Sequence, residues 1–360
     1  MVGINAFGHC ERLTSLTLPN SLKEIRNRAF CGCSGLTSLT LPNNITMIGI
    51  NAFKECTGLT SLTLPNSLQE IRNHVFFGCS GLTSLTLPNN INVIGVSAFK
   101  DCTGLTSLTL PNSLKTIRNQ AFIGCRGLTS LTLSNSLKEI GRFAFSGCSE
   151  LTSLALPDSL TEIGDSAFRG CKRLTSLTLP KQLNQIHIAA FKGCIGLTAL
   201  TLPDSIEIIG LQAFCGCKRL TSLTLPKQLT QIDVEAFKGC IGLTSLTLPD
   251  RIEIIDAQAF CECRGLTSLV LPNALYTGLG VGAFKDCTAL TSVVYARIPP
   301  AFLAFLAWVV GNSRSRDNWQ LTSLKQLRNV LRLIVTFAME RRELTADIKK
   351  RSFVGCVNLV

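Results

Sequence analysis

The chain has 360 residues, 46% of them hydrophobic and 16% charged, with 35 Lys+Arg against 23 Asp+Glu and a net charge of +12. So apolar a composition excludes an intrinsically disordered chain, which lacks the material for a core. Seventeen cysteines admit a disulfide framework, a metal protein or a packing role, and only their spacing separates these.

In chain order the first element is part of a repeat. Val2-Gly3-Ile4-Asn5-Ala6-Phe7 matches Ile48-Gly49-Ile50-Asn51-Ala52-Phe53, so the sequence opens in the middle of a unit. It shows no charged and apolar leader, and with a start of this kind both a cytoplasmic and a cell-surface location stay open. An uncapped first unit also leads us to expect fraying or end-to-end self-association.

Phenylalanine then marks the register. Phe7 to Phe260 recur every 23 residues, Phe284 follows after 24 because Tyr276–Val281 carries one extra residue, and Phe353 lies far downstream. Three residues after each stands a cysteine, from Cys10 and Cys33 to Cys287 and Cys356, so fourteen of the seventeen occupy one repeated position.

Within a unit, Leu13, Leu16 and Leu18 alternate with Ser15 and Thr17, which predicts a short strand with leucine on one face and hydroxyls on the other. Pro19 ends it, because proline has no N–H to donate to a ladder. Leu22 and Ile25 turn a second apolar pair inward, and Ala29, Phe30 and Cys33 fill a third side. No single coil buries these side chains, so coils must stack, thirteen of them spanning on the order of 60 Å at a strand spacing of ~4.8 Å. A second period of two coils lies over the first: Asn20–Pro65 nearly copies Asn66–Pro111, and Lys181–Pro226 nearly copies Lys227–Pro272. The array therefore grew by duplication of coil pairs, a history that suits a scaffold tolerant of changing length.

The string LxxLxLPxxLxxIxxxAFxxCxxL, seen in Leu13, Leu16, Leu18, Pro19, Ile25, Ala29, Phe30, Cys33 and Leu36, resembles the BspA-like class of leucine-rich repeats over about residues 1–295. The resemblance implies a repeat solenoid with short parallel strands forming a sheet on one face. It further implies a cell-surface or secreted protein that binds other proteins, matrix or cells, with no shared catalytic residues. Ser21 stands where the commoner leucine-rich pattern has Asn or Cys, so a continuous asparagine ladder is not expected.

Chemistry beyond this is thin. Neighbouring repeat cysteines would lie within disulfide range, but all point into an apolar turn, where a free thiol behaves as a small hydrophobe. Cys31, Cys215 and Cys261 add C-x-C pairs without the second pair or histidine that zinc needs. His9, His74 and His187 occupy non-equivalent positions, and the carboxylates form no nucleophile-base set. The expectation is a non-enzyme without metal or cofactor, a protein-interaction scaffold. An alternative is a structural protein that orders water or ice on the parallel Ser and Thr files. Variable positions between Pro and Phe, such as Lys23, Arg26 and Arg28 against Asp204, Glu207 and Gln212, form either a solvated face or a partner surface.

After Tyr295 the pattern breaks, giving a division into 1–295 (solenoid), 296–350 (α-helical insert or cap) and 351–360 (partial final repeat). Pro299-Pro300 precedes AFLAFLAWVV and Gly311, a Pro-led, Gly-terminated helix too short to span a membrane. A second helix is predicted from about Trp319 to Arg342. Residues 296–360 hold 11 Lys+Arg and 4 Asp+Glu, net +7, whereas residues 1–295 hold 24 and 19, net +5. Lys325, Arg328 and Arg332, with Trp308 and Trp319, therefore form a candidate surface for a protein partner or for membrane contact. Without aromatic-basic interleaving or a reader motif, nucleic acid is not an expected partner.

Overall fold

A computed structural model describes residues 1–295 apart from Asn273, Ala274, Tyr276 and Thr277. The expected helical insert and final partial repeat lie outside the described residues. From the third coil on, each carries a front strand of three or four residues, such as Ser61–Thr63, Ser107–Thr109 and Ser176–Thr178. Seven residues further on comes a two-residue second strand, such as Glu70–Ile71 and Thr116–Ile117. The chain thus builds parallel ladders on two sides, where the sequence announced a sheet on one. Pairing runs one repeat apart, Leu62 opposite Leu85 and Ile71 opposite Ile94. Isolated bridges from Thr17 to Thr40 and from Thr40 to Thr63 carry the front ladder toward the N-terminus.

Between the ladders lies the core. Front strands alternate exposed, buried, exposed, which puts Leu62, Leu85 and Leu108 inward and their Ser and Thr neighbours outward. The phenylalanines stack in one file from Phe7 to Phe284, with ring centroids 5.1–5.7 Å apart and planes within 15° of parallel. Those from Phe30 onward are fully buried. Each such side chain contributes about 1.5–3 kcal/mol by burial, and parallel neighbours add dispersion.

The repeat cysteine does more than fill space. Cys33 Sγ donates to the Phe7 carbonyl at 2.9 Å, and the same bond recurs down the array, Cys125 to Phe99 at 3.0 Å and Cys263 to Phe237 at 3.3 Å. Each thiol thus ties its coil to the one before. All sixteen described cysteines are free thiols.

Two backbone positions per coil turn left-handed. One lies two residues after the phenylalanine and is glycine in most coils, as at Gly32, Gly78 and Gly170, but Glu55, Asp101 and Glu262 hold it with φ of 58–61°. The other lies two residues before it and is filled by Arg28, His74, Phe143 and Gln212 among others, with φ of 56–59°. A side chain there costs roughly 1–2 kcal/mol, which the surrounding stack must offset.

In the N-terminal half the two-coil period has a physical counterpart. Asn27, Asn73 and Asn119 Oδ1 accept hydrogen bonds, each 2.9 Å, from the N–H of Ile50, Val96 and Arg142 in the next coil. Gly49, Gly95 and Gly141 make room for this, because a Cβ at each would fall 2.6–2.7 Å from that asparagine oxygen. Asparagine in one coil therefore requires glycine in the next. Gly141 is followed by Gly164 in the adjacent coil, where the alternation slips. One coil later no ladder pair joins Glu162–Ile163 to Gln185–Ile186. Asp165 crosses this place with its side chain, 2.7 Å from Arg142 Nη2 and 3.8 Å from His187 Nδ1.

Candidate binding faces

The front face is a floor of hydroxyls. Three files run along it, and they differ in what their hydroxyls do. Thr37, Thr60, Thr83 and their equivalents donate to the main-chain carbonyl of the matching threonine one coil earlier, at 2.9–3.4 Å, and so belong to the scaffold. The other two files, Ser61/Thr63, Ser84/Thr86 and onward, are in register and exposed. Their hydroxyls are free of intrachain hydrogen bonds among the described residues. This face is as the alternation of the sequence predicts.

Residues flanking the floor set its charge. In the coils of Cys171 and Cys217 one edge carries exposed Lys172/Arg173 and Lys218/Arg219, and the other edge carries exposed Lys181 and Lys227. In the coils of Cys194 and Cys240 these edges carry Ile195 and Ile241, 39% and 45% exposed, with Asp204 and Asp250 opposite. Arg173 Nη1 also meets Glu150 at 2.8 Å. A shallow depression of about 640 Å³ opens here, lined by Ser176, Thr178, Lys181, Ala199, Thr201 and Asp204. Ala199 stands where most coils have serine, and pairing between these two strands is reduced to Thr178 opposite Thr201.

On the turn side, polar side chains join successive coils. Lys192 Nζ donates to Gln212 Oε1 (2.7 Å), Gln212 Nε2 to Glu235 Oε2 (2.5 Å), and Lys238 Nζ to Glu235 Oε1 (2.6 Å) and Gln258 Oε1 (3.1 Å). The bond from Lys238, then that from Gln212, holds the Glu235 carboxyl below its usual range, and Glu235 in turn raises Lys238. Further toward the N-terminus the Phe77 ring lies between two ammonium groups, Lys54 Nζ at 5.1 Å and Lys100 Nζ at 5.2 Å, with His74 beside it. Burial, then Lys54 and Lys100, pushes the His74 imidazole down. Both networks bind coil to coil. Their members fall on two repeat positions, two residues before the phenylalanine (His74, Gln212, Glu235, Gln258) and one after it (Lys54, Phe77, Lys100, Lys192, Lys238), but the residue type there changes from coil to coil and so carries no pattern.

Among the described residues no group of three or more His, Cys, Asp and Glu is placed to hold a metal ion, and no helix is long and apolar enough to cross a membrane. His9, His74 and His187 do not converge on one site, and Cys31, Cys215 and Cys261 sit on the turn with their thiols raised by burial. Trp308, Trp319, Lys325, Arg328 and Arg332 lie outside the described residues.

A stack of 23-residue coils with parallel ladders, a buried phenylalanine file and flat exposed strands defines a leucine-rich repeat protein. The chain belongs to the BspA type leucine rich repeat region family, whose model matches residues 1–127, 93–218 and 184–299. It is similar to a leucine-rich repeat protein from Bacteroides ovatus, with 27% identity, a TM-score of 0.59, and coverage of 78% of this chain and 86% of that one. A leucine-rich repeat protein of T. pallidum shares 36% identity over 45% of this chain and 78% of its own, with a TM-score of 0.43. Comparison with curated proteins finds no match.

Proposed function

We propose that the protein is a non-catalytic interaction scaffold of the adhesin-like kind, presenting its solenoid to a protein partner. The observation that carries this reading is the front face. It is a long, in-register surface on which the hydroxyls of two files are unspent while the leucines between them turn to the core. Such a face offers area and regular polar contacts, which suit recognition, whereas catalysis needs ionisable groups converging on a cleft. Family membership supports the reading, since leucine-rich repeats generally mediate protein interactions. Residues 296–350, with Trp308, Trp319, Lys325, Arg328 and Arg332, form a second proposed contact surface, for a protein or for a membrane.

Affinity capture from host-matrix and self lysates, by the full chain and by a chain lacking residues 296–350, tests this. A discrete partner retained by both assigns the site to the solenoid, and one retained only by the full chain assigns it to the insert. Retention of nothing above a non-binding control sinks the proposal. The same free hydroxyl files favour a second reading, ordering of water or ice, which a thermal-hysteresis measurement without activity removes.

A further inference from the structure

The front face is not uniform, and its exception is chemical. In the stretch from Lys172 to Asp250 its edges carry six cations, Lys172, Arg173, Lys181, Lys218, Arg219 and Lys227, against two anions, Asp204 and Asp250. The basic pairs recur every second coil, about 10 Å apart at a strand spacing of ~4.8 Å. The floor between them is Ser176, Thr178, Thr201, Ser222 and Thr224, all exposed and without intrachain hydrogen bonds. At Ala199 it dips into the depression that Lys181 and Asp204 border.

We propose that this part of the front face binds a linear acidic polysaccharide. Its carboxylates would meet Lys172/Arg173 and Lys218/Arg219, and its hydroxyls would meet the Ser/Thr floor, with Asp204 accepting from a sugar hydroxyl in the depression. Three features favour this partner. Basic groups set two coils apart match a polymer bearing one acid per disaccharide, while double-stranded DNA, with one charge per ~1.7 Å, calls for a far denser positive surface. The floor has no aromatic ring on which a base could stack. Unspent hydroxyls and a carboxylate complement a ligand that is itself rich in hydroxyls, and guanidinium and ammonium groups complement its acids. Glu150 holds Arg173 within reach of the edge.

The test is titration of the full chain with hyaluronate oligosaccharides at low ionic strength, beside neutral dextran, poly-glutamate and single-stranded DNA. Saturable hyaluronate binding is expected, weakened by salt, and reduced about tenfold or more in Lys172→Gln/Arg173→Gln/Lys218→Gln/Arg219→Gln, four exposed charge-assisted contacts being lost. Lys115→Gln/Lys138→Gln, exposed beside the second strands, should bind like wild type. Thermal melts confirm folding. Should the quadruple variant not fold, Lys181→Gln/Lys227→Gln serves in its place and is expected to weaken binding. No hyaluronate binding, affinity unchanged by the front-face variants, or equal binding of poly-glutamate or single-stranded DNA overturns the proposal. Because the probe is a purified glycan, that failure leaves the protein-scaffold reading untouched.

Discussion

The repeat cysteine shows how one residue type is selected by two demands. It must be small and apolar enough for the turn, and it must donate, because the phenylalanine carbonyl it meets is buried with it. Burial pushes the thiols of Cys79, Cys125 and Cys171 up to about 12 from an ordinary 9.0. A folded-state pKa raised above the unfolded value gives a contribution fully present below pH 9 and lost as pH rises toward 12. Each such thiol withdraws roughly 1.4 kcal/mol per pH unit in that window. With eleven repeat thiols raised by the fold, the array should collapse steeply above pH 9, and circular dichroism melts across an alkaline series check this; unchanged melts up to pH 12 would refute it. His74 has the opposite sign. Its depressed pKa makes the array lose stability as pH falls below an ordinary 6.5, and His74→Gln should flatten that acid limb of a urea-unfolding series.

At the scale of the turn and strand, the left-handed positions invite a paired test. Gly170→Ala meets nothing closer than 3.9 Å, so its expected cost of about 1 kcal/mol is purely conformational. Glu262→Gly at the equivalent position, φ 61°, should stabilise by about 0.5–1 kcal/mol. Urea midpoints of the two variants moving in the same direction would contradict this account. The same scale explains what could be read in advance. Phe30 and Cys33 recur without exception, so core and register were legible in the spacing. The second strands were not: two residues such as Glu24–Ile25 or Val93–Ile94 are too short to alternate, and their pairing arises only between coils. Nor was the turn before each phenylalanine, since Arg28, His74 and Phe143 carry no glycine signal. The hydroxyl floor followed from alternation, but its charged edges emerged only when residues 46 apart, such as Lys172 and Lys218, were placed on one side.

For the molecule as a whole, stability sums over neighbouring coils, and the Asn/Gly pairing makes those interfaces unequal. Deleting residues 66–111 removes two coils and leaves each asparagine facing a glycine. Deleting residues 43–65 removes one coil and sets Arg72 where Gly49 gave room, against an Asn27 nitrogen that a Cβ would approach to 2.5 Å. The shorter deletion should therefore lower the melting temperature more than the longer one, although it removes half as many residues. Differential scanning calorimetry of the two chains decides the matter, and the reverse order would show that the alternation is inherited history without energetic weight.

The succession of Gly141 and Gly164 gains a meaning from this. In a crystal it would be called a fault: six coils alternate arginine with glycine, two glycines then fall in adjacent coils, and beyond them His187, Gly210, Asp233 and Asp256 fill the position with no asparagine beside them. The second ladder lapses at the next junction, between Ile163 and Gln185, yet the backbone still crosses it, Ser166 N–H donating to Ile188, Phe168 to Ala190 and Gly170 to Lys192, each at 2.8 Å, and the Asp165 carboxylate adds contacts to Arg142 and His187. A rod with a continuous backbone thus changes its side-chain grammar partway along, from an asparagine amide bracing every second coil to none.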